Sequence, residues 1–177
     1  MTPNAIEDAC RSMKQGAMPF PVGGGSERRF GRSEIDRIIP HRPPFAFVDR
    51  IVAVDLDAAM IEVESDLDPG EPVFSGHFPG RPVYPGVLQI ETMGQAGLCL
   101  AFFTRNRTLD IDDGARPVEG LFTRVHQAVF QQPVAPGARL TVRARMLDDN
   151  DMTGIVAAQV LVDRAVCSFA VLEVYYP

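Results

Sequence analysis

The sequence predicts an α+β domain in which one antiparallel sheet wraps a single long helix. Three observations carry this. The longest apolar stretch, Val87 to Phe103, is apolar on every side at helical spacing, as a helix buried all round must be. Two segments before it and four after it read as strands bounded by turn residues. Strands joined by short turns pair antiparallel, and one sheet curled around one helix covers every apolar face. The length, 177 residues, suits one such domain with an appendage, large enough to need neither disulfides nor a structural metal.

Residues 1–32 form the appendage, and residues 33–177 the body. Ile6, Cys10, Met13 and Ala17 fall at helical spacing, so the start of the chain predicts a short amphipathic helix. Pro19, Pro21 and the run Gly23-Gly24-Gly25-Ser26 then read as a flexible linker. The body opens with a short helix over Glu34 to Ile38, capped by Ser33 and ended by Pro40-His41-Arg42-Pro43-Pro44. Strands are expected at Phe47 to Asp55 and Met60 to Asp66; Ile61 and Val63 alternate with Glu62 and Glu64, which leaves one face wet. A loop rich in proline and glycine runs from Pro69 to Pro85. Pro85 suits the first position of the long helix, where its missing N–H costs nothing. Four strands follow at about 117–130, 138–147, 154–163 and 165–175, punctuated by Pro136-Gly137, the acidic turn 148–151 and Asp163-Arg164.

Composition narrows the function classes. Apolar residues at 46% and charged residues at 23% exclude wholesale disorder. A net charge of −6 argues against bulk nucleic-acid binding, which relies on neutralising phosphates. Gln89, Glu91 and Gln95 interrupt the apolar stretch, so it is not read as a membrane span. The first twenty residues hold Glu7, Asp8, Arg11 and Lys14 and no apolar run, unlike a secretory signal. Three cysteines, Cys10, Cys99 and Cys167, read as free thiols. The cytoplasm is the expected location. No HxxxH or CxxC set is present, so neither metal nor cofactor is expected.

Three features carry chemistry. His77 sits in Phe74-Ser75-Gly76-His77-Phe78-Pro79-Gly80, and histidine is the side chain best suited to move protons near neutral pH. Glu91 lies on the apolar helix, where desolvation should raise its pKa and make it a proton donor; alternatively it is a structural carboxyl bonded to Gln95, one turn on, and both readings can hold. At Gly86 the helix start offers unpaired amide N–H groups to a developing negative charge; alternatively Gly86 only allows tight packing. A base, an acid and an oxyanion site beside an apolar helix fit removal of water from a 3-hydroxyacyl thioester.

The stretches from Ile39 to Ile51 (IPHRPPFAFVDRI), from Gly76 to Leu88 (GHFPGRPVYPGVL) and from Ile90 to Ala96 (IETMGQA), with Pro133-Val134-Ala135-Pro136-Gly137, resemble the FabZ-type 3-hydroxyacyl-[acyl-carrier-protein] dehydratases. The resemblance covers about residues 33 to 177. It implies the hotdog fold, in which a sheet wraps a long helix. It implies that His77 is the catalytic histidine, Glu91 the catalytic acid, Gly86 the residue whose amide polarises the thioester carbonyl, and Gln95 the support of the acid. It further implies a homodimer, a unit that the family often assembles as a trimer of dimers, with His77 of one chain facing Glu91 of the other. Phe78, Val83, Met93 and Phe130 become candidates for lining the acyl tunnel. The substrate would be a thioester of acyl carrier protein or coenzyme A in fatty-acid, polyketide or related lipid biosynthesis. Where family members usually carry several basic residues, this chain has Gln127, Val129, Gln131 and Gln132, with His126 where an acid is common. Arg81, Arg105, Arg107 and the arginines of the extension are the available substitutes for docking an acidic carrier. Two alternatives stand: an acyl thioesterase on the same fold, and a catalytically silent acyl-binding subunit.

Overall fold

Apolar residues distribute along this chain so that one helix finds apolar partners on all its sides. The computed structural model describes residues 3–20 and 29–177. Its elements are α1 (Pro3–Gln15), α2 (Arg32–Ile38), β1 (Arg50–Asp55), β2 (Met60–Asp66), α3 (Pro72–Gly76), α4 (Gly86–Asn106), β3 (Leu121–Phe130), β4 (Arg139–Asp149), β5 (Thr153–Val162) and β6 (Ala165–Tyr175). Of the expected linker, Pro21 and the run Gly23-Gly24-Gly25-Ser26 lie outside the described residues.

The six strands form one sheet in the order β1-β2-β4-β5-β6-β3, every pair antiparallel. Chain neighbours pair, as expected, in three cases. β3 is the exception, because it leaves its neighbours and docks on β6 at the far edge. β3 and β4 therefore sit three strand positions apart, roughly 14 Å at ~4.8 Å per strand. The connection 131–138 is long enough to cover that distance in extended form.

The sheet curls round α4, which packs chiefly on β4 and also on β5, β2 and β6. From Thr92 to Phe103 every residue of α4 is buried. Pro85 is the N-cap of α4 and not its first helical residue; Gly86 takes that place. Arg107 ends the helix in the left-handed conformation. At the short helix α2 the cap is Gly31, two residues before the expected Ser33. The Gly31 N–H donates to the Glu34 carboxylate, and the Ser33 hydroxyl donates to the same group instead of capping.

A second apolar cluster lies on the outer face of the sheet. There α1 packs across β5 and β6, burying Cys10 and Met13 against Ala157, Phe169 and Val171. The parity of β5 shows the division: Val156, Ala158 and Val160 face α4, whereas Ala157 faces α1. Gln159, fully buried, fastens the extension. Its amide donates to the carbonyls of Met13 and Gly16, and its oxygen accepts from the Met18 N–H.

Candidate active site

The short helix α3 delivers His77 to the start of α4. His77 caps α3, its N–H donating to the Val73 carbonyl. Its own carbonyl accepts from the Val83 N–H at 2.8 Å, and its ring Nδ1 lies 2.8 Å from the Val83 carbonyl. A carbonyl can only accept, so Nδ1 carries the proton and Nε2 is left as a bare acceptor. The His77 ring stacks on Phe78, centroids 4.1 Å apart.

His77 lines a cavity of about 480 Å³ together with Val83, Tyr84, Gly86, Val87, Gln89, Ile90 and Phe130. The loop Gln131, Gln132 and Pro133 completes the rim. Gly86 is there for space: a Cβ on it would lie 2.7 Å from the Phe130 ring. In the first turn of α4 the Leu88 and Gln89 amides return to the Pro85 carbonyl. The amides of Gly86 and Val87 precede any intrahelical acceptor and carry the positive end of the helix dipole.

Glu91 belongs to a different group of side chains. Its Oε1 accepts from the Gln95 amide at 2.9 Å and lies 3.5 Å from His41 Nε2. Gln95 is fully buried and also clamps the segment after Pro44, accepting from the Phe47 N–H and donating to the Phe45 carbonyl. Glu91 is not among the residues lining the His77 cavity. Within one chain, Glu91 meets Gln95 and His41, and the cavity is lined by His77 and by Ile90, the residue before Glu91. Of the tunnel candidates, Val83 and Phe130 line the cavity. Met93 is fully buried in the core, and Phe78 is exposed beside His77.

His41, which the sequence places only in the segment that ends α2, lies beside Glu91. The signal was its place in the IPHRPPF stretch, but its partner Glu91 is fifty residues away in the chain. Arg105 and Arg107 prove to be at the opposite end of α4 from Gly86, roughly 30 Å away at ~1.5 Å per residue. Arg105 pairs with Asp149 and covers the Tyr176 ring there. Within one chain, of the body arginines expected as substitutes, Arg81, in the turn after His77, is the one near the cavity.

Residues 39–170 match the family model of the FabA-like domain. The chain belongs to the FabA-like family. It is 38% identical over 140 residues to the 3-hydroxyacyl-[acyl-carrier-protein] dehydratase FabZ of Campylobacter concisus, covering 79% of this chain and 93% of that protein. It is 39% identical over 142 residues to FabZ of Campylobacter hominis, covering 80% and 93%. Among solved structures it is similar to the dehydratase heterocomplex ApeI:P from Xenorhabdus doucetiae, with a TM-score of 0.64 and 19% identity over 81% of this chain and 90% of that one. This FabA-like chain has the hotdog fold: a six-stranded antiparallel sheet around one long helix.

Proposed function

We propose that the protein is a lyase that removes water from a 3-hydroxyacyl thioester to give the trans-2-enoyl thioester. The observation that carries the reading is the bond from His77 Nδ1–H to the Val83 carbonyl, which aims a bare Nε2 at a cavity beside the start of α4. Nε2 takes the C2 proton. The Gly86 amide donates to the thioester oxygen as negative charge gathers there. Glu91 gives its proton to the C3 hydroxyl, which leaves as water. The C2–H electrons become the new double bond, so the step balances without a cofactor.

Each site is assembled from two chains, with His77 of one protomer meeting Glu91 of its partner. Two features support this. Glu91 does not line the cavity that His77 of its own chain lines, and the edge strand β3 leaves Leu121, Phe122 and Val125 exposed. An apolar open edge favours pairing with a second copy. The thioester is carried by an acyl carrier protein or coenzyme A, and the glutamines at the cavity rim argue for a carrier that does not depend on a dense basic patch. Three buried free thiols suit a reducing cytoplasm.

Mass spectrometry of intact thioesters tests the reading: dehydration removes about 18 mass units, whereas a thioesterase releases free acid and thiol. His77→Ala is expected to abolish both hydration and dehydration with the dimer intact. Glu91→Gln is expected to lower turnover by the ~10²–10⁴-fold typical of losing a general acid. A loss of less than threefold would leave Glu91 structural.

A further inference from the structure

His41 is a half-buried titratable group that the chemistry above does not use. Its Nε2 lies 3.5 Å from Glu91 Oε1, the same oxygen that accepts from Gln95. Its other ring nitrogen, Nδ1, is buried with no partner among the described residues. The turn that carries it is fastened by two arginines. Arg32 donates to the His41 and Val48 carbonyls and pairs with Asp36; Arg42 donates to the carbonyls of His41, Ile39 and Asp36.

We propose that His41 is a positioning residue for Glu91: together with Gln95 it fixes Oε1 as the hydrogen-bonded oxygen and leaves Oε2 to carry and release the proton. This rests on the reading of Glu91 as the acid. A proton on Nδ1 would be a buried N–H without an acceptor, which costs ~1–3 kcal/mol, so the single ring proton sits on Nε2, the nitrogen 3.5 Å from Oε1. Burial pushes the His41 imidazole down; the Glu91 carboxylate opposes this, and Arg32 and Arg42 add to it. The charged and titratable groups around the pair are Arg32 and Asp36 from α2, Arg42 from the turn, and the Tyr84 phenol, which feels the Glu91 charge. The two cations point at backbone carbonyls and Asp36, so the group presented to Glu91 is a neutral donor.

The test is the pH profile of kcat/KM with a 3-hydroxyacyl thioester, for the wild type and for His41→Ala, His41→Gln and His41→Lys. A donor to a carboxylate favours its ionised form. Removing it in His41→Ala therefore moves the alkaline limb, which needs protonated Glu91, to higher pH. A cation in His41→Lys moves it to lower pH. In His41→Ala kcat falls about tenfold with KM nearly unchanged, short of the loss for removing the acid itself. His41→Gln, which keeps a neutral N–H, recovers most of the rate. The proposal is overturned by an alkaline limb that stays fixed in all three variants, by shifts of the same sign in Ala and Lys, or by a Gln variant no better than Ala. The Gln and Lys variants keep a polar side chain in the slot, so a near-wild-type Gln variant beside a Lys variant with its limb at lower pH decides the matter even where Ala does not fold. Full activity of Glu91→Gln would sink the acid assignment itself, whereas a dead Glu91→Gln with unmoved limbs sinks His41 alone.

Discussion

A histidine ring has two nitrogens, and tying one of them decides what the other can do. His77 gives its Nδ1 proton to the Val83 carbonyl, and this sets Nε2 as the free base. Residue type and a glycine-proline setting were enough to single out His77 in the sequence; the tautomer was not, because Val83 had first to fold back onto it. Glu91 was likewise legible as a carboxyl on an apolar helix, and its bond to Gln95 follows from i, i+4 spacing. His41 was not legible, since nothing local announces a partner on another element. Gln95 does more than support Glu91: it also satisfies the Phe45 carbonyl and the Phe47 N–H. Gln95→Ala leaves those backbone groups unpaired, and chemical denaturation is expected to show a loss of about 1–3 kcal/mol along with reduced turnover.

The strand β3 shows how an element's character depends on its place in the sheet. Its sequence reads as an ordinary strand, but at the edge of the sheet it leaves Leu121, Phe122 and Val125 exposed. Phe122 lies over Gly94 of α4, where a Cβ would collide with its ring. A charge placed on this strand should tell a dimer edge from a bare surface. If the proposed two-chain site is right, Val125→Lys is expected to shift the protein toward monomer in sedimentation or light scattering and to lower activity in parallel. A dimer unchanged by Val125→Lys and by Leu121→Lys would refute pairing through β3. The long helix α4 was visible in the sequence because burial on every side leaves an unbroken apolar record; its first residue was misplaced by one, since proline serves equally well just outside a helix and just inside it.

The molecule has two apolar layers, one between sheet and α4 and one between sheet and α1. Removing the extension would uncover Met60, Ala157, Phe169 and Val171. Deletion of residues 1–20 is therefore expected to raise binding of a hydrophobic dye and to lower the melting temperature. Gln159→Leu, which strips Met18, Met13 and Gly16 of their partner, is expected to cost on the order of 2–4 kcal/mol in denaturation and to make the extension easier to cleave by protease.

Periodicity, turn residues and the chemistry of single side chains are written locally, and so the sequence by itself determined the central helix and the number and approximate bounds of the strands, and it named His77, Glu91 and Gly86 as candidates. Strand order, the docking of α1 and the contact of His41 with Glu91 join residues tens of positions apart. Only the tertiary structure decided them, because they depend on which faces meet once the sheet has closed around α4.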